Sequence, residues 1–220
     1  MSDTDSDKDF DGKLVAAFFQ LAADKGWNRA TVAEAARAAS LSLAEARGRF
    51  PGRGAVLLRF GRMADQAALA AMPADGSVRD KLFDLLMHRF DTLHEHRAGV
   101  VALLRVLPAE PPLALLLGCA TRRSMRWMLQ AAGAPTTGLR GELRLKGLVA
   151  VWLWTLRAWR NDESADLSGT MAALDAALRR AGRAAAWLGG GAELAPQEAD
   201  ASAAEPGPEP DEPLPQPPVA

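Results

Sequence analysis

A chain of 220 residues with 26 Lys or Arg, 27 Asp or Glu and a net charge of −1 can form one or two domains with a sizeable core. Abundant Ala, Leu and Arg, no Tyr, and too few Val and Ile for a large sheet point to an all-α fold. No apolar run nears the ~18 residues of a membrane span, the acidic start MSDTDSDKD is no signal peptide, and the single cysteine, Cys119, excludes an internal disulfide and suits a reducing cytoplasm.

Residues 1–10 are polar, charged and aperiodic, and read as disordered. Asp11 can cap a helix over Gly12 to Lys25, with Leu14, Phe18 and Leu21 on one apolar face and Gly26 as a left-handed stop. Trp27 is placed to close the end of this small core. The stretch Thr31 to Phe50, TVAEAARAASLSLAEARGRF, reads as two very short helices joined by a tight turn. Thr31 with Glu34, and Ser42 with Glu45, form two capping boxes eleven residues apart. Ala35, Ala36, Ala44 and Ala46 let the two axes approach, as a helix-turn-helix requires; a scaffold-only hairpin is the alternative.

Pro51-Gly52 then breaks the chain before a long helix, Arg53 to Met72. Ser77 with Asp80 starts the next, whose stripe is Leu82, Leu85, Leu86, Arg89, Phe90 and Leu93. A stretch from Ala98 ends at Pro108. Pro111-Pro112 opens a helix running to Ala132 and stopped by Gly133. Leu139 to Arg160 is apolar on nearly all sides, which places it inside a bundle or at an oligomer interface. Asp162 or Ser164 starts a last helix carrying Leu167, Met171, Leu174 and Leu178. From Gly189 onward Pro, Gly and acids replace the periodicity, and eight of fourteen prolines lie in this disordered acidic tail. The expected organisation is a disordered 1–10, a helix-turn-helix unit 11–60, a second helical unit 61–188, and the tail 189–220.

The near-zero net charge hides an asymmetry. Residues before 190 carry +6 and the tail −7, and Lys25 to Arg62 holds eight basic residues against Glu34 and Glu45. Such a local excess favours phosphates through counterion release.

With these residues in place, the chain resembles a TetR-type transcriptional regulator over roughly residues 11–188. The likeness is clearest over KLVAAFFQLAADKGWNRATVAEAARAASLSLAEARGRFPGRGAVL, through Lys25-Gly26-Trp27, Thr31-Val32, Ala36, Ala39, Ser42, Phe50-Pro51, Arg53 and Leu57. The resemblance implies a nine-helix architecture in which the first three helices bind a double-stranded DNA operator. The fourth helix connects them to a pocket for a small hydrophobic ligand, and the last two build a homodimer interface. It assigns DNA contact to Arg29, Thr31, Ser42, Leu43, Arg47, Arg49 and Arg53. Ligand contact falls to Phe83, Met87, Phe90, Leu116, Trp127, Met128 and Trp152, and the interface to Leu148, Trp154, Trp159, Leu174 and Leu178. No cofactor and no metal is implied.

The chain departs from the family pattern where DNA is read. Ser40-Leu41 stand where the turn usually carries Gly-Val. Leu43, Glu45 and Arg47 replace lysine, threonine and an aromatic residue, and Gly48 weakens the helix by about 1 kcal/mol relative to Ala. A second likeness, over about residues 77–180 (VRDKLFDLLMHRFDTLHEHRAGV, SMRWMLQAAG, TMAALDAALRR), is to TetR-folded lipid-binding proteins of ubiquinone biosynthesis. Those attach to membranes by a C-terminal amphipathic helix, whereas an anionic membrane would repel the acidic tail here. That likeness keeps open a lipid-binding accessory protein whose DNA-reading helix has decayed.

Other chemistry is poorly supported. His94 and His96 lie about 200° apart on a helix and share no face for a metal. Cys119, in an apolar stretch, reads as a buried inert thiol. No nucleophile-base spacing, paired carboxylates or phosphate loop points to an enzyme. Arg122, Arg123 and Arg126 are either a solvated face or a seat for an anionic ligand head.

Overall fold

Helix α1 (Ser2–Lys25) begins well before the Asp11 cap that the sequence suggests. The protein is seen here as a computed structural model in which residues 2–187 are described, so the expected 189–220 tail lies outside the described residues. The expectation of a disordered 1–10 is corrected: Phe10 is buried, Asp9 pairs with Lys13 one turn on at 2.7 Å, and Asp7 bonds across to a later helix. An acidic stretch that looks aperiodic therefore gains long-range partners that a local pattern does not reveal.

Among the described residues there are nine α-helices and no strand. Helix α2 (Val32–Ala38) packs on α1 and α3 (Leu43–Arg49) on α2, and α4 (Arg53–Ala70) leads away from them. The remainder comprises α5 (Val78–Glu95), α6 (Arg97–Val106), α7 (Pro111–Ala131), α8 (Gly138–Asn161) and α9 (Ser168–Trp187). Helix α4 packs on α5 and α7, α6 on α1, and α8 on α9. No single described helix is long and apolar enough to cross a membrane.

The core of the N-terminal part is aromatic. Trp27 is fully buried, edge-on to Phe18 at 5.2 Å and tilted against Phe19 at 5.7 Å. Phe19 also meets Phe60 of α4 at 4.5 Å and stacks on His96 at 5.6 Å. Helices α1 and α6 touch backbone to backbone: a Cβ on Gly99 would lie 2.3 Å from the Phe19 carbonyl oxygen. Only glycine fits there.

Helix α9 starts at Ser168, later than expected, because Asp162 organises the preceding loop instead of a helix start. Its carboxylate accepts from the Ser164 hydroxyl and amide, and from the Thr170 amide (2.6 Å) and hydroxyl (2.7 Å). The Thr170 amide is one of the unpaired donors of the first turn of α9, so Asp162 caps that helix from a distance. Arg97 closes the same corner, donating to the carbonyls of Trp159 (3.0 Å) and Asp162 (2.7 Å) with its guanidinium over the Trp159 ring. Cys119 is exposed rather than buried, since it lies across α7 from the core residues Leu113, Thr121, Met125 and Met128.

Two outcomes follow. Gly99→Ala forces the α1–α6 contact apart and lowers stability by roughly 1–3 kcal/mol, read as a fall in the urea midpoint; an unchanged midpoint would show that the contact is dispensable. Asp162 is held below its ordinary value of 3.8 by hydrogen bonds from Ser164, then Thr170. A carboxylate with a depressed folded value contributes stability above the unfolded value and loses it as pH falls through the folded one. The deficit of Asp162→Ala against the unsubstituted protein is therefore full at pH 7 and shrinks as unfolding is measured at progressively lower pH below 3.8.

Candidate nucleic-acid interface and ligand cavity

The α2–α3 unit is built on its caps. Thr31 Oγ1 accepts from the Glu34 amide and Ser42 Oγ from the Glu45 amide, both at 3.3 Å, each satisfying a first-turn donor. The expected reciprocal half of each box is absent. Glu34 instead accepts from the Thr31 hydroxyl at 2.7 Å and pairs with Lys25 at 2.6 Å, while Glu45 pairs with Arg49 at 3.1 Å. Helix α2 ends in a Schellman turn: the Leu41 amide reaches the Ala36 carbonyl (2.8 Å) and the Ser40 amide the Arg37 carbonyl (3.1 Å). This turn needs a positive φ at its first non-helical residue, and Ser40 supplies it at 56° without glycine. Ala35, Ala36 and Ala46 are buried between the helices, and Phe50 plugs their open end.

One concavity gathers Thr31, Leu43, Arg47 and Arg53, with Asn28 and Pro51. Leu43 is 45% exposed on the first turn of α3. Arg47 donates to the Pro51 carbonyl at 3.1 Å, and Arg53 to the Asn28 side chain at 2.8 Å, with Glu110, which directly precedes α7, at 3.8 Å from its other arm. Ser42 sits beside them as the α3 cap. Arg49 is not among them. It bonds Asp11 at 3.0 Å, the Asp7 carboxylate and carbonyl, and Glu45, and lies over the Phe10 ring at 5.0 Å. These bonds, from Asp11 first and then Asp7, raise its basicity further. Arg59 joins the same cluster through Asp11 at 2.6 Å. The local excess of positive charge is thus partly consumed within the chain. Arg29 and Arg37 are exposed and have no partner among the described residues.

Behind this unit a cavity of about 700 Å³ opens between α4, α5, α6, α7 and α8. Leu57, Leu58, Gly61 and Leu69 of α4 form one wall, and Leu103, Leu104, Val149, Leu153 and Leu156 complete an apolar lining. Of the expected ligand residues, Trp152 and Trp127 line it, and Phe90 stacks behind Trp152 at 4.6 Å. Phe83, Met87, Leu116 and Met128 are not brought to it. Met128 is fully buried packing, and Leu116 abuts Gly54 at the start of α4.

One polar group interrupts the lining. Arg89 is buried, pairs with Asp65 and Ser124, and lies under the Trp152 ring at 4.8 Å, while Ser124 donates to Asp65 at 2.6 Å. Burial pushes the guanidinium down to about 10, so it stays cationic at neutral pH. An arginine inside the stripe Leu82–Leu93 is the sequence signal that could have located this group.

The expected interface residues divide. Leu148, Trp159, Leu174 and Leu178 are buried within the single chain, where Trp159 packs near Phe90 and under Arg97. Trp154 is 55% exposed with Arg180 over its ring, and with Leu143, Gly147 and Ala150 it marks an outward stripe on α8 at helical spacing.

No protein-family model and no curated protein matches the sequence. Solved structures do match the fold. A TetR transcriptional regulator from Nitrosomonas europaea aligns over 80% of this chain and 98% of its own, with TM-score 0.64 and 23% identity. A TetR-family transcriptional regulator from Streptomyces coelicolor aligns over 82% and 83%, with TM-score 0.56 and 19% identity. A third TetR transcriptional regulator, from a Rhodococcus species, aligns over 79% and 97%, with TM-score 0.52 and 18% identity. The chain therefore has the fold of TetR-type transcriptional regulators.

Proposed function

We propose that the protein is a cytoplasmic, homodimeric DNA-binding transcriptional regulator, a repressor released from its operator by a small hydrophobic effector. The observation that carries this reading is the double use of α4. Its first residue, Arg53, stands in the concavity with Thr31, Leu43 and Arg47, and its next turns supply Leu57, Leu58, Gly61 and Leu69 to the cavity wall. A body filling the cavity pushes on the helix that sets the position of the reading head. The start of α7 is tied to the start of α4 by Glu110 opposite Arg53 and by Leu116 against Gly54, so a shift of either helix reaches the other.

Helix α3 enters the major groove by its N-terminal turn. Leu43 presents an apolar surface suited to a thymine methyl group, and Arg47 exchanges the Pro51 carbonyl for a guanine edge or phosphate. Arg29 and Arg53 take phosphates beside it. Arg49 is a positioning residue that locks α3 to α1. The two heads of a dimer are set by pairing of the outward stripe of α8 around Trp154 with α9, as the resemblance implies. The chain acts without cofactor and is not an enzyme.

A second reading is favoured by the neutralisation of Lys25, Arg49, Arg53 and Arg59 by Glu34, Asp7, Asp11, Glu45 and Glu110. A head so compensated suits a lipid-binding accessory protein that no longer reads DNA.

Fluorescence anisotropy with DNA flanking the coding sequence separates the two. The expected outcome is sequence-preferring binding that weakens with salt. Arg47→Ala costs about 1–3 kcal/mol, and Arg29→Ala lowers the salt slope by about one. Arg49→Ala instead lowers the urea midpoint, its loss of affinity following the loss of fold. No salt-dependent binding by the unsubstituted protein would sink the regulator reading and leave the lipid carrier.

A further inference from the structure

We infer that the ligand of the 700 Å³ cavity is an anionic amphiphile, an apolar body carrying one acidic head group. This rests on the reading of the cavity as an effector site and adds the chemistry of the effector. The three arginines of α7 that the sequence leaves ambiguous are separated by the fold. Arg122 and Arg126 both grip Glu142 of α8, the second at 2.6 Å, and neither lines the cavity. Arg123 lines the cavity and has no partner among the described residues. Arg62 of α4 is in the same position, exposed, lining the cavity and unpartnered among the described residues. Gln66, one turn along α4 from Arg62, lines it too.

The charges lining the cavity are therefore Arg62, Arg89 and Arg123 against Asp65 alone. Asp65 is committed to the buried Arg89, which leaves two guanidiniums uncompensated. Both are exposed as well as lining the cavity, so each stands where the wall runs out to solvent, as does Trp127, 60% exposed. Leu103, Leu104, Val149 and Leu156 provide an interior with no charge of its own apart from the Arg89–Asp65 pair. An apolar interior with a doubly cationic rim is the complement of a chain or ring system that ends in a carboxylate or phosphate. Guanidinium binds either oxyanion in a bidentate fork. A cationic amphiphile meets like charge at the rim, and a neutral one gains nothing from it.

Isothermal titration calorimetry on the full chain, below micellar concentrations, tests this with decanoate, decyl phosphate, decan-1-ol and decyltrimethylammonium. The expected order is decanoate or decyl phosphate at least about tenfold tighter than decan-1-ol, with the trimethylammonium compound weakest. Whichever anion is tighter names the head. Each added methylene tightens binding about fourfold until the cavity is filled. Arg62→Ala combined with Arg123→Ala, both surface changes, collapses the preference for the anion over the alcohol to near unity. Equal affinity for decanoate, decyl phosphate and decan-1-ol, or a preference that survives the double substitution, overturns the amphiphile inference while leaving a hydrophobic effector site intact. Failure of all four to bind overturns both.

Discussion

The junction at Phe19 holds the two halves of this molecule together. One ring contacts Trp27 in the N-terminal core, Phe60 on the connecting helix and His96 at the turn between α5 and α6. The carbonyl of the same residue lies so close to Gly99 that no side chain is tolerated between α1 and α6. Aromatic contacts of this kind give large apolar burial with defined ring geometry. Because they are made from α1 to both α4 and α6, the α2–α3 unit packed on α1 is tied to the helices that line the cavity. The interior is densely packed and resists small displacements, so motion is transmitted across it rather than absorbed.

The second constraint is electrostatic and acts within the head. A run of acids at the start of α1 looks like a solvated tail but reaches Arg49 and Arg59, and turns two of the basic residues of the region inward. These pairs are partly exposed and contribute little stability individually. Their effect is to set which cations remain available. Arg29 and Arg37 face solvent unpaired among the described residues, Arg47 is held by the neutral Pro51 carbonyl, and Arg53 is shared between the Asn28 side chain and the Glu110 carboxylate.

The cavity follows from helix α4 standing away from α8. Leucines from α4, α6 and α8 face one another across about 700 Å³ instead of meeting, and the buried Arg89 is held by Asp65, Ser124 and the Trp152 face, with its Nε left without a hydrogen-bond partner. A charged group in that position costs desolvation energy, and pairing with hydrogen bonding offsets much of it. The large aromatic and Met side chains predicted to line the site are mostly packing: Met128 is buried in α7 and Phe90 lies behind Trp152.

Local sequence determined the elements. The hydroxyl caps at Thr31, Ser42 and Ser77, the stops at Pro51-Gly52 and Gly133, and the helical spacing of leucines are all short-range signals, and the helices formed where they point. Tertiary structure decided what depended on partners distant in the chain. Arg49, far along the sequence, donates to Asp7 and Asp11 of α1, and Asp162 caps α9 across a loop rather than starting it. Cys119, Leu148 and Trp159 show the limit most plainly. Apolar spacing says that a helix has a buried face, but which of several apolar faces meets core, cavity or solvent depends on the neighbours that surround it. The arginines carry the same lesson: Arg122, Arg123 and Arg126 look alike in sequence, and only the fold separates the two that pair with Glu142 from the one that lines the cavity.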